Sequence, residues 1–116
     1  MNETKKVLSI KDTGLYSAVY RKGKSYAGKY IVLYALPCKG DYPSRLGITV
    51  SKDRGCAVVR NRSKRIIRES YRHLHHLLKS KCNIVIVARQ ACTTATSTVI
   101  EDELRELLTA ATLIDV

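Results

Sequence analysis

Residues 45–72 read RLGITVSKDRGCAVVRNRSKRIIRESYR, and the pattern changes period part-way along. In LGITVS, residues 46–51, apolar positions alternate with small or polar ones, the two-residue period of a half-buried strand. Residues 52–55 make a tight connection. Beyond it the apolar positions recur at helical spacing, which predicts a helix over about residues 57–79. At about 100° per residue, Val59, Ile66, Ile67, Leu74 and Leu77 fall in one arc, with Ser63 and Ser70 among them. Arg60, Lys64, Arg68, Arg72, Asn61 and Arg65 occupy the adjoining arc. One face is built to pack on a sheet and the other to present cations.

Residues 54–72 hold seven bases (Arg54, Arg60, Arg62, Lys64, Arg65, Arg68, Arg72) and one acid, Glu69. A solvated helix face usually mixes signs, because opposite charges three or four residues apart support the helix and like charges oppose it. Here Arg60, Lys64 and Arg68 repeat one sign at that spacing. The whole chain carries 21 Lys and Arg against 10 Asp and Glu, a net charge of +11. Five of those acids (Glu101, Asp102, Glu103, Glu106, Asp115) lie in residues 101–116, so residues 1–100 hold 20 bases and five acids. Such imbalance points to a polyanionic partner. Nucleic acid fits better than a membrane surface, since no strongly apolar face accompanies the basic one. No apolar run approaches the roughly 18 residues that span a bilayer. Arginine outnumbers lysine on this helix, and a guanidinium grips phosphate oxygens through two parallel hydrogen bonds where an ammonium acts as a point charge.

Working outward, 116 residues fit a single domain, residues 1–116, with residues 1–8 expected to be a mobile basic lead-in. Ser9 or Asp12 is placed to cap a first helix that reaches about Arg21 and ends at Gly23. Residues 29–36 (KYIVLYAL) read as a strand, ended by Pro37 and a polar loop through Arg45. The stretch around Tyr26 leaves room for another short strand. Residues 83–89 (NIVIVAR) are apolar on both faces and belong inside the sheet. The last helix, about residues 99–113, puts Leu104, Leu107, Leu108 and Ala111 on one stripe. The order is α-β-β-β-α-β-α, an α/β (α+β) two-layer sandwich with helices over a mostly antiparallel sheet.

All seven aromatic residues are tyrosine. Tyr16 and Tyr20 share a face of the first helix. In the strand, Tyr30, Val32 and Tyr34 alternate with Ile31, Leu33 and Ala35, and the fully apolar set is expected in the core. The tyrosines then suit a surface that is apolar yet wet, where bases can stack. Catalytic groups are scarce. Cys38, Cys56, Cys82 and Cys92 form no CxxC pair and have no His at zinc-finger spacing, so they read as reduced cytosolic thiols, mostly packed as small apolar residues. His73, His75 and His76 sit near a helix C-terminus, where the dipole favours cations, and are expected to have no carboxylate with them. The acids of the last helix read as exposed surface. No catalytic or metal-ligating set is expected in this chain.

Residues 50–69 follow the pattern V-S-K-x-x-G-x-A-V-x-R-N-R-x-K-R-x-x-R-E. This string resembles the signature region of the protein subunit of bacterial ribonuclease P, and the likeness extends from the first helix through YIVLYAL and NIVIVAR to the acidic last helix. Two departures are Asp53, where the family usually carries a base, and tyrosine at positions where it often has Phe. The resemblance implies a left-handed crossover through the arginine-rich helix, against the usual hand. It implies an endoribonuclease that matures the 5′ end of tRNA, whose chemistry lies in a catalytic RNA subunit. Lys52, Arg54, Arg60, Asn61, Arg62, Lys64, Arg65, Arg68 and Arg72 would contact that RNA. A cleft between the first helix and the sheet, with Tyr16, Tyr20, Tyr34, Ser51 and Lys52, would take the single-stranded leader of precursor tRNA. Mg2+ would be bound mainly by the RNA subunit and substrate, with no further protein partner required and a cytoplasmic location. A structural RNA-binding protein of the ribosomal kind is the alternative, because fold does not fix function. The ordered arginine string argues against it, since a scaffold protein needs bases but not that order.

Overall fold

The structure is a computed structural model that describes residues 7–38 and 43–114. Its elements are β1 (Leu8–Ser9), α1 (Thr13–Lys22), β2 (Lys24–Ala27), β3 (Ile31–Pro37), β4 (Arg45–Thr49), α2 (Ala57–Leu74), β5 (Cys82–Ala88) and α3 (Ser97–Ala110). Short 3-10 turns cover Lys52–Arg54, His75–Leu77 and Gln90–Thr94. The expected order therefore holds, with one addition. Leu8, read as the end of a mobile lead-in, and Ser9, read as a candidate helix cap, pair in parallel with Arg45 and Leu46 as an edge strand. Residues 1–6 and Tyr42 lie outside the described residues.

Asp12 starts α1, its carboxylate accepting from the Gly14 N–H at 2.9 Å. Gly23 ends the helix with extended backbone, its N–H bonded to the Val19 carbonyl at 2.9 Å. The five strands lie in the order β1-β4-β5-β3-β2, which puts β5 at the centre as its apolar faces require. β5 is antiparallel to β3 and parallel to β4. The sheet is thus mixed and, as expected, mostly antiparallel, its antiparallel ladders of β2 with β3 and β3 with β5 including the longest. The helix α2 connects the parallel neighbours β4 and β5, as a crossover must when a hairpin cannot reach.

The layering differs from the two layers expected, because helices cover both faces of the sheet. Ile31, Leu33, Ala35, Ile84, Ile86 and Ala88 face α2 and α3, packing with Ile67, Tyr71, Leu74, Ile100, Leu104 and Leu108. Val85 faces the other way, against Val19 of α1 and Ile10, with Tyr16, Tyr34, Leu36 and Val87 around them. Strand alternation makes both faces of β3 and β5 apolar, and each needs cover. Tyr30 breaks the expected alternation. It precedes the regular strand and packs with the α2–α3 core instead of beside Val32 and Tyr34. The second helix also ends sooner than predicted. It stops at Leu74, and Leu77, in the following 3-10 turn, is 39% exposed instead of continuing the apolar stripe. The chain has to turn back there to enter β5.

One acid of α3 is a fastening rather than surface. The Glu103 carboxylate accepts from three successive backbone N–H groups, those of Lys29 at 2.8 Å, Tyr30 at 2.7 Å and Ile31 at 2.8 Å. Successive N–H groups pointing inward form an anion-holding nest, and a side chain on Gly28 would collide with the carboxylate filling it. α3 is thereby tied to the β2–β3 turn. Glu103→Ala should cost about 2–3 kcal/mol of folding stability through the N–H groups it leaves without a protein acceptor, as read from urea denaturation. Replacement of the neighbouring exposed Asp102 by Ala should stay within about 0.5 kcal/mol.

Candidate nucleic-acid interface

α2 buries Ser63, Ile67, Ser70, Tyr71 and Leu74, a stripe at intervals of three and four residues. Burial pushes the Tyr71 phenol far above its ordinary range, consistent with a ring in the core. Asn61, Arg65, Arg68 and Arg72 are exposed, while Arg60 and Lys64 lie half-buried on the flank between the two faces. Arg72 pairs with Glu69 one turn earlier, and this partner holds the Glu69 carboxyl below its usual range. Lys64, Arg65 and Arg68 have no ion-pair partner among the described residues. Arg62 points elsewhere. Its guanidinium donates to the Thr93 carbonyl at 3.4 Å and the Ala95 carbonyl at 3.3 Å, joining α2 to the segment before α3.

The loop before the helix is held by local bonds. Ser51 Oγ donates to the Asp53 carboxylate, which keeps that carboxyl below its usual range. Asp53 is thus tied to the loop, while Lys52 stays exposed beside it. Arg54 Nε donates to the Ala88 carbonyl at 3.4 Å, across the end of β5. Gly55 has φ +141°, a conformation side chains rarely adopt, and it lets the chain turn into α2. Cys56 is the N-cap and is exposed, unlike the buried Cys82 and Cys92. The backbone N–H groups of Val59 and Val58 lower its thiol, which marks the helix start as a place that favours negative charge. Burial instead pushes Cys82 up to about 11.

A second surface lies on the α1 side of the sheet. Tyr16 and Tyr20 project from one face of α1, with ring centroids 6.5 Å apart, and Tyr20 meets Tyr34 of β3 edge-on at 4.9 Å and 87°. Tyr16 lies directly over Gly47 of β4. A Cβ there would come within 2.6 Å of the phenol oxygen and ring edge, so the missing side chain allows the ring to settle on the strand. Tyr20 Oη is 3.3 Å from Thr49 Oγ1. Tyr16, Tyr20 and Tyr34 are thus brought together, and Ser51 and Lys52 follow directly from the β4 edge of the same groove. Gly47 and Thr49 went unremarked in the sequence, where nothing in their spacing distinguishes them from other strand residues.

No three or more His, Cys, Asp or Glu side chains are grouped as a metal site among the described residues. One of the histidines does have a carboxylate, contrary to the reading from sequence. His73 Nδ1 is 2.8 Å from Glu101 Oε1, because α3 packs alongside α2 and brings distant acids to it.

The family model described as Ribonuclease P matches residues 4–112. The chain belongs to the ribonuclease P protein family. The ribonuclease P protein component of Clostridioides difficile is 41% identical over 108 residues, covering 92% of this chain and 91% of that protein. That of Staphylococcus carnosus is 40% identical over 109 residues, covering 93% of each. Among solved structures, the RNase P protein of Staphylococcus aureus superposes with a TM-score of 0.84 at 34% identity, covering 95% of this chain and all of that one. The RNase P protein from Thermotoga maritima gives 0.78 at 26% identity, covering 88% of this chain and 96% of that one.

Within this ribonuclease P protein, the signature arginines divide by what their side chains touch. Arg62→Ala should lower folding stability by about 1 kcal/mol, the worth of hydrogen bonds it makes to loop carbonyls. Arg65→Ala, with no such bonds, should change stability by less than about 0.5 kcal/mol. Parallel urea denaturation curves of the two variants separate the roles.

Proposed function

We propose that this subunit of the ribonuclease P ribonucleoprotein holds the catalytic RNA on the exposed face of α2 and its preceding turn, and the 5′ leader of precursor tRNA in the groove between α1 and the sheet. The observation that carries this reading is the row of cations without ion-pair partners among the described residues, Lys64, Arg65 and Arg68, on a helix whose other face is fixed in the core. Phosphates neutralise charges that otherwise oppose one another along the helix. Arg60, Asn61 and Arg72 extend the face, Lys52 and Arg54 flank it at the loop, and Arg62 contributes through the shape of the helix–loop junction. Tyr16, Tyr20 and Tyr34 offer rings on which bases stack, at about 1–3 kcal/mol per base and without dependence on sequence. That suits a leader that differs among precursors. Ser51 and Lys52 sit where such a strand would leave the groove.

The chemistry of this ribonucleoprotein lies in its RNA subunit. The protein's share is positioning the leader and screening repulsion between two polyanions. Among the described residues no three His, Cys, Asp or Glu side chains are grouped to cage Mg2+. Three carboxylates are already engaged, Glu103 by backbone N–H groups, Glu69 by Arg72 and Asp53 by Ser51. On this reading Mg2+ is bound mainly by the RNA subunit and substrate, where the ion would stabilise charge at the cleaved phosphodiester. The same reading makes the chain a single-domain cytoplasmic protein that needs no second protein to act. None of its described helices is long and apolar enough to cross a membrane.

The test is cleavage of precursor tRNA at physiological Mg2+ with the protein alone, a bacterial ribonuclease P RNA alone, and both together. Strong stimulation only in the mixture, with one cut at the mature 5′ end, is expected. Salt-sensitive RNA binding without stimulation would instead favour a structural RNA-binding role, and cleavage by the protein rigorously freed of RNA would overturn the mechanism. Replacing Lys64, Arg65 and Arg68 with Ala should weaken RNA binding and flatten its salt dependence, by about 0.7–0.9 unit of log–log slope for each phosphate the protein no longer neutralises. An unchanged slope would remove this face from the interface.

A further inference from the structure

The α1 groove is aromatic and apolar along most of its floor, which makes the hydrogen bond that crosses it from Tyr20 to Thr49 conspicuous. The strand row that contains Thr49 continues through Val87 of β5 and Val32 of β3 to Ala27 of β2. Thr49 is the only residue in that row with a side-chain hydrogen-bonding group. Above it, Tyr20 is 39% exposed, yet its ring is held by the edge-on contact with Tyr34 and the neighbouring ring of Tyr16. Those contacts direct the phenol oxygen to Thr49 Oγ1, on a strand fixed by its pairing with β5.

The bond between the two hydroxyls, at 3.3 Å, is long for O–H···O, whose usual range ends near 3.0 Å. Each hydroxyl has one donor and two lone pairs. When one O–H is shared between them, the pair still has one donor and several acceptor sites facing the groove. A ligand that both donates and accepts can insert at such a pair or bond alongside it without leaving a polar atom unsatisfied.

We propose that the Tyr20–Thr49 hydroxyl pair reads the ribose 2′-hydroxyl of a leader nucleotide whose base stacks on the tyrosine cluster. This rests on the leader-groove reading above and deepens it. A nucleobase edge is the less suitable target, because its donors and acceptors change from one leader to the next and the rings are there to tolerate that change. The 2′-hydroxyl is donor and acceptor on every ribonucleotide, and is the group by which a protein tells RNA from DNA. Stacking then supplies affinity, and the hydroxyl pair supplies a base-independent preference for RNA. A Phe at position 20 would keep the ring and lose the preference. Gly47 supports the arrangement as a positioning residue, since Tyr16 packs over it and braces Tyr20.

The experiment uses holoenzyme reconstituted with a bacterial ribonuclease P RNA. Affinities are measured for mature tRNA and for precursors with an all-ribose leader, with single 2′-deoxy substitutions along the leader, and with varied leader bases. The wild type should lose about threefold to tenfold in affinity at one deoxy position, the scale of one neutral hydrogen bond. Tyr20→Phe and Thr49→Val should each lose a similar factor on the all-ribose leader and little more on that deoxy leader, the non-additivity expected of groups that act on one ligand atom. Wild-type discrimination retained by both variants would overturn the proposal, as would a changed base preference with ribose discrimination intact. Tyr20→Ala and Tyr16→Ala separate this from the underlying reading. If they still weaken precursor selectively over mature tRNA, while the ribose tests fail, the groove reading stands and ribose recognition is overturned. If they weaken both equally, the leader groove itself is wrong.

Discussion

Strand β5 is enclosed on four sides, hydrogen-bonded along one edge to β3 and along the other to β4, with helices over both faces. Ile84, Ile86 and Ala88 are fully buried toward α2 and α3, and Val85 is fully buried toward α1. Each fully buried valine or isoleucine side chain contributes about 1.5–3 kcal/mol, so this strand anchors both hydrophobic clusters. The remaining elements take their places from it. β4 must run parallel beside it, which forces the chain through a crossover, and that crossover is α2. β3 must run antiparallel on the other side, which carries Tyr34 to the face that α1 covers.

The position of α2 explains how a helix with so many like charges can persist. Isolated, a row such as Arg60, Lys64 and Arg68 would disfavour helix formation. Burial of Ile67, Tyr71 and Leu74 offsets that repulsion and leaves the cations standing at the surface. Acids that might have neutralised them are engaged elsewhere. Glu103 fills the nest at residues 29–31, Glu101 meets His73 near the far end of the helix, and Glu69 takes up Arg72. The charge left over on the exposed face is a consequence of where the fold has assigned its carboxylates. The start of α2 adds to it, since backbone N–H groups around Cys56 also favour negative charge.

The groove on the opposite side uses different physics. Its rings touch one another and settle on a strand that has no side chain at Gly47, so an aromatic surface is held firm without a deep pocket. Tyrosine in place of phenylalanine adds hydroxyls to that surface, and the Tyr20–Thr49 contact shows one of them engaged across the groove. The cationic face and the aromatic groove meet at residues 51–54, where β4 ends and the loop into α2 begins.

Much of this was legible in the sequence because the governing patterns are local. Alternation in LGITVS, apolar faces on NIVIVAR and the helical period after Ala57 each report burial through the geometry of a single element. The order of elements, the central strand, the cationic face and the ordered arginine string therefore followed from the residues alone. What required tertiary structure depends on residues distant in the chain. The second layer of helix cover arose because both faces of β3 and β5 are apolar, while no local pattern says which helix goes to which face. The edge strand at Leu8 exists only through its partner β4. Arg62 looks like its neighbours until the carbonyls of Thr93 and Ala95 arrive beside it, and Glu103 looks like surface until the turn at residues 28–31 closes on it. A side chain's type is written in the sequence, but its partner is chosen by packing between segments up to 74 residues apart, and the partner decides whether a charge fastens the fold or remains available to RNA.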